Sequence, residues 1–248
     1  MSISKRKSAN MVQPTEANKR KLTNMSKPHG SAYETKKNEK EAVTMKVLLV
    51  NGSPHKRGCT YTALSEIAKT LEEEGIDWDI FHIGNKPVRG CTACDSCRNN
   101  NRPFCVYGDD PCNDLICEIE QADGLIVGSP VYYSGPNGAL CAILDRVFYS
   151  AQQMFKHKPA AAVVSCRRGG ASATFDRLNK YFTINQMPVV TSQYWNSIHG
   201  MTAEEALQDK EGLQVMRTLA HNMAWVLKTT AGTKPEEENE RQSTNFIR

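Results

Sequence analysis

A chain of 248 residues, 40% hydrophobic and 23% charged, is long enough for one large α/β domain and has the composition of a globular protein. Its formal charge of +4 does not describe its body: residues 1–44 hold ten of the 31 Lys and Arg and four of the 27 Asp and Glu, which leaves 21 basic against 23 acidic residues. A near-neutral body gives no charge argument for a nucleic-acid-binding core, no apolar run approaches the ~18 residues of a membrane span, and the N-terminus lacks the apolar stretch of a signal peptide.

Residues 1–44 therefore read as a disordered basic arm, solvated and without apolar clustering. Order is expected from Met45. The run MKVLLVNGSP has the form of a buried parallel strand entering a loop. A helix follows, with Leu64, Ile67, Ala68 and Leu71 on one face and Gly75 at the C-cap position. DWDIFHI is a second strand, and residues 113–121 are a helix with Leu115, Ile116 and Ile119 on one side. GLIVGSP at 124–130 is a third strand, followed by a helix over 138–153 whose core positions are Leu140, Ile143, Leu144 and Val147.

AAAVVS at 160–165 is a fourth strand, ATFDRLNKYFTI a helix, and MPVV at 187–190 a short fifth strand. Thr202 and Glu205 make a capping box before a last helix over roughly 203–229. A polar tail closes the chain at 231–248. Strands alternating with helices predict one α/β domain over 45–230: a five-stranded parallel sheet covered on both faces. Ligands of such sheets bind beyond the carboxyl ends of the strands, at the switch in strand order. The loops after strands one, three and four should meet there.

Each of these loops suits a ligand. NGSPHKRGCTYT opens a helix, whose first N–H groups favour an anion, and adds hydroxyls and positive charge. It matches neither a Walker A loop nor GxGxxG. GSPVYYSGPNG combines turn residues with Tyr132 and Tyr133, and SCRRGGASAT pairs a glycine turn with Arg167 and Arg168. A fourth stretch, GCTACDSCRNNNRPFC, sets Cys91, Cys94, Cys97 and Cys105 two, two and seven residues apart. An iron–sulfur cluster, a structural zinc or a metal-free thiol loop all accommodate four cysteines. In a cytoplasmic chain, where thiols stay reduced, a disulfide framework does not. Cys112, Cys117, Cys141 and Cys166 read as core or loop thiols, and His82 and His199 as structural.

NGSPHKRGCTYTAL, GSPVYYSGPNGALCAILDR and SCRRGGASAT resemble the FMN-binding loops of the flavodoxin-like NAD(P)H-dependent FMN reductases. With the cysteines between them, residues 46–230 resemble the iron–sulfur flavoprotein branch. The resemblance implies that Ser53, His55, Lys56, Cys59, Thr60 and Tyr61 surround the FMN phosphate. It implies that Pro130, Val131, Tyr132, Tyr133, Ser134 and Gly135 line the isoalloxazine and ribityl chain. Ser165, Arg168, Gly169 and Gly170 would close the other side of the ring. Cys91, Cys94, Cys97 and Cys105 would hold a [4Fe–4S] cluster. Cys59 is a departure, since Asn often precedes the threonine in relatives.

The activity implied is NAD(P)H reduction of FMN. Electrons then pass to a quinone, a nitro or azo compound, a flavin or the cluster. The alternative is a flavodoxin-like electron carrier with no small-molecule substrate. A homodimer or homotetramer is implied, with no nucleic-acid or membrane partner.

Overall fold

The structure is a computed structural model that describes residues 44–99 and 102–237, with 242, 244 and 246. Residues 1–43 of the arm expected over 1–44, and much of the tail beyond 237, lie outside the described residues. Strands β1 (Lys46–Asn51), β2 (Asp77–His82), β3 (Gly124–Tyr132), β5 (Ala160–Cys166) and β6 (Ser197–His199) form a parallel sheet in the order β2-β1-β3-β5-β6. A short β4 (Gly135–Pro136) folds back antiparallel on the end of β3. The helices are α1 (Cys59–Glu73), α2 (Ser96–Asn99), α3 (Cys112–Gln121), α4 (Gly138–Phe155), α5 (Ala171–Ile184), α6 (Ala203–Ala206) and α7 (Lys210–Thr230).

The period-2 geometry of the strands divides the core. Leu48, Val50, Leu125, Val127, Ala162 and Val164 face α3, α4 and α5. Val47, Leu49, Ile126, Ala161 and Val163 face α1 and α7. Burial on both sides is why β1, β3 and β5 read as continuous apolar runs. The α1 stripe is buried as its spacing predicts, and Gly75, at φ 72°, ends it. Its N–H donates to Glu72 O while Ile76 N–H donates to Leu71 O, the paired bonds of a Schellman end.

Two expected elements differ. MPVV is not a strand: Pro188 has no N–H for a ladder, and only Val189 bridges Ala160. The fifth place belongs to β6, which pairs with Val164–Cys166 at the other end of β5. Between the two pieces, Asn196 bonds back to β5 through its side chain to Ala162 O and its carbonyl to Val164 N–H. The final helix is two helices. The Thr202 hydroxyl caps α6, and Asp209 starts α7 by accepting Gly212 N–H at 2.9 Å. No described helix is long and apolar enough to cross a membrane.

Candidate functional site

Strand order reverses between β1 and β3, and the three predicted loops meet there, above the carboxyl ends of β1, β3 and β5. The first two loops are joined through the backbone. Gly52 N–H donates to Gly128 O at 2.9 Å, and a side chain on Gly52 would strike that carbonyl and Leu140. Asn137 caps α4 through Ala139 N–H and donates from Nδ2 to Gly52 O at 2.9 Å. Its own N–H reaches Ser129 Oγ at 3.0 Å. One asparagine thus fixes both loops.

The first and third loops are joined by Thr60 Oγ1 and Ser165 Oγ, 2.8 Å apart and buried. The second and third touch where Gly170 (φ 87°) packs on the β3–β4 hairpin. A Cβ there would lie 2.9 Å from Ser134 Cα and Val131 Cγ1. That hairpin turns through Tyr133 and Ser134 at φ 50° and 59°, the two left-handed positions of a tight two-residue loop. Neither residue is glycine, so the turn is strained.

Inside the first loop, Asn51 Oδ1 accepts Ser53 N–H, Ser53 Oγ accepts His55 N–H, and Asn51 Nδ2 donates to Lys56 O. His82, at the end of β2, contacts Ser53 O through Nε2 at 2.8 Å. These bonds close the loop on itself and leave His55, Lys56 and Arg57 exposed. Helix α1 begins after Gly58 with no side-chain cap and no acidic residue in its first turn. Its leading N–H groups therefore remain available to an anion. Cys59 sits there with its thiol 3.5 Å from Gly200 O, and burial pushes its pKa up, so it is a neutral thiol. Pro130 and Val131 are half-buried, Tyr132 is exposed and Tyr133 fully so. Tyr61 is half-buried, Gly135 lies in β4, and Arg167, Arg168 and Gly169 stand exposed around Gly170.

The four cysteines occupy a second locality. Cys91, Cys94, Cys97 and Cys105 line one pocket with Tyr107, Tyr149 and Arg146. Ala93 and Asp95 are left-handed, at φ 49° and 52°, in the irregular segment that carries Cys91 and Cys94 into α2, where Cys97 lies. Asp95 accepts the Tyr149 hydroxyl at 2.6 Å, and Arg98 stacks on the Tyr149 ring. Among the described residues, no group of three or more His, Cys, Asp or Glu side chains is arranged to hold a metal ion. No disulfide joins the nine cysteines. The thiols nonetheless differ. A hydrogen bond from the Cys112 thiol, helped by Tyr107 and Arg146 and opposed by burial, holds Cys105 down to about 5. Cys112 is pushed far up by that same bond and by burial. Hydrogen bonding to Ser96 lowers Cys94, while burial raises Cys97.

Arg146, Asp110 and Cys112 were not distinguished by the sequence pattern. The available signal was an arginine three residues after Ile143, on the apolar side of α4. Asn51, Asn137 and His82 also gain their roles only from contacts made across the fold.

A family model for NADPH-dependent FMN reductases matches residues 45–202, the span that carries all three loops and the cysteines. The chain belongs to that family. An iron–sulfur flavoprotein of Methanocaldococcus jannaschii is 30% identical over 192 residues, covering 74% of this chain and 98% of the relative. An iron–sulfur flavoprotein of Methanosarcina thermophila is also 30% identical, over 187 residues, covering 74% and 95%. A solved flavodoxin from the domain Archaea superposes with a TM-score of 0.51 at 15% identity, over 74% of this chain and 99% of that one. The fold is flavodoxin-like.

Proposed function

We propose that this chain is a cytoplasmic oxidoreductase that binds FMN at the switch between β1 and β3, within a domain spanning 45–230. It takes electrons from NAD(P)H and passes them to a small acceptor, a quinone, a nitro or azo compound or a flavin, or to a [4Fe–4S] cluster on Cys91, Cys94, Cys97 and Cys105. The observation that carries the reading is the convergence of three loops: Gly52 on Gly128, Thr60 on Ser165, and Gly170 on Ser134. The family assignment agrees with it.

The residues fit the flavin. The uncapped start of α1, with exposed Lys56 and Arg57 nearby, suits a phosphate. Ser53 and Thr60 hold that loop in shape by their hydrogen bonds to His55 N–H and Ser165 Oγ. Pro130, Val131 and the strained Tyr133–Ser134 turn, with Gly170 packed directly on Val131 and Ser134, would form one continuous border beside the ring position. Arg168 supplies positive charge where a reduced ring would become anionic. Bound FMN supplies hydride acceptance and one-electron release; the protein supplies orientation, electrostatics and exclusion of water.

The cysteines fit a cluster in donor type: four thiols on one pocket, one of them strongly acidified. Nine cysteines without a disulfide suit a reducing compartment. Anaerobic purification with a visible spectrum and flavin, iron and sulfide quantification tests both parts. The expected protein carries stoichiometric FMN and equal iron and sulfide. FMN without iron and sulfide would remove the cluster, and a colourless protein would remove the whole reading.

A further inference from the structure

Arg146 is a buried cation inside the apolar flank of α4, with 1% of its side chain exposed. The guanidinium spans the cysteine loop. Nη1 donates to Arg89 O at 3.0 Å, on the leg that enters the loop. Nη2 donates to Tyr107 O at 2.9 Å, on the leg that leaves it. Nη1 also binds Asp110 Oδ2, whose side chain is 3% exposed and balances the buried charge. Nε donates to Cys105 Sγ at 3.3 Å. Burial opposes the charge on Arg146, but Asp110 and Cys105 more than offset it, so its pKa lies above the ordinary arginine value. Asp110 in turn accepts Cys112 N–H at 3.1 Å, which ties this assembly to the start of α3.

The fork is rigid, and four of its contacts fix positions relative to one another. Cys105 is the one of the four cysteines set apart in the chain, eight residues beyond Cys97. Among the described residues it alone of the four receives a hydrogen bond from a charged side chain. A charge-assisted bond to one sulfur stabilises the more negative state of whatever that sulfur binds.

We propose that Arg146 is the positioning residue for the cluster: it places the Cys105 sulfur on the pocket lined by Cys91, Cys94 and Cys97 and raises the cluster's reduction potential through Nε. This rests on the cluster assigned under the proposed function. Reduction adds one electron from the flavin or a chemical reductant to the cluster and its four thiolates, with no bond broken. The Arg146 cation offsets the added charge at one of those thiolates.

The test uses anaerobically prepared protein and two variants. Arg146→Lys keeps a cation opposite Asp110 but has no Nε–H at Cys105. Arg146→Gln with Asp110→Asn removes both buried charges together, so neither is left unpaired. FMN content reports an intact fold, iron and sulfide report the cluster, and a redox titration followed by electron paramagnetic resonance gives the cluster's midpoint.

The expected result is retained FMN with a one-electron reduction equilibrium constant about tenfold less favourable in both variants, about 59 mV lower. Retained FMN with loss of iron and sulfide also supports the positioning role. Unchanged iron, sulfide and midpoint in both variants would overturn it. So would loss of FMN from both, which would make Arg146 a general folding residue. If the parent itself carries FMN but no iron or sulfide, the cluster reading has failed before any variant is made, and this inference falls with it.

Discussion

The two localities of this molecule are built in opposite ways. At the carboxyl ends of β1, β3 and β5 the geometry is spread over the fold: backbone meets backbone at Gly52 and Gly128, two hydroxyls meet at Thr60 and Ser165, and Asn137 binds two loops at once. The cysteine loop lies beside the sheet, its thiols half-buried or exposed, and one guanidinium clamps both of its legs. A site of the first kind inherits the stability of the core. A site of the second kind depends on a few buried polar groups, each costly to leave unpaired. The molecule thus separates a loop cluster fixed by the sheet from a cysteine loop fixed by Arg146 and Asp110.

The largest expected effect follows from that dependence. Arg146→Leu leaves Asp110 buried without its cation and should cost about 3–5 kcal/mol of stability by chemical denaturation. Hydrogen exchange should quicken over 89–99 and 102–112 while β1, β3 and β5 stay protected. Equal loss of protection in the strands would erase the contrast. The converse change is Gly170→Ala. At φ 87° a Cβ is strained and would press on Ser134 and Val131, at a combined cost of about 3 kcal/mol. Fluorescence titration should show weakened FMN binding, while iron and sulfide in the same preparation stay at the parent level. Loss of iron and sulfide together with FMN would mean that the two localities are one mechanical unit.

The smallest effect is a control that touches neither. Glu74 pairs with Lys228 and His221 of α7, and hydrogen bonds from those two, in that order, hold its carboxyl below the usual value. In the folded state it therefore binds fewer protons than in the unfolded chain just below that value. Its contribution is present above 4.5, the ordinary glutamate value, and is lost as pH falls through the lowered one. Glu74→Gln should cost less than about 1 kcal/mol at neutral pH. The difference from the parent should shrink to nothing in acid and fade with salt. Any change in FMN, iron or sulfide would show that the sites feel the helix layer behind them.

Most of the sheet was legible because burial on both faces leaves an unmistakable run of Val, Leu, Ile and Ala in β1, β3 and β5. The edge strand was not: Ser197-Ile198-His199 has one apolar residue, whereas MPVV looks apolar but has a proline at its second position. The break before α7 was hidden because Asp209 looks like any surface acid until it caps Gly212. The three loops could be found from glycine, proline and hydroxyl residues at strand ends. The partnership of Arg146 with Asp110 could not, since the two are 36 residues apart and only Arg146, on the apolar side of α4, has a local reason to be buried.

Helix α4 starts from its cap Asn137, which joins the first two loops, and reaches Arg146 nine residues later, about 14 Å along its axis. One rod therefore sets the spacing between the two localities within a single chain. Transplanting residues 89–112 into another flavodoxin-like scaffold would carry the thiols without their anchor. The recipient would also need an arginine at the matching turn of its own fourth helix, facing inward, and that helix in the same rotational setting. The cysteine motif visible in the sequence is thus only part of a heritable unit whose remaining member lies on a separate element.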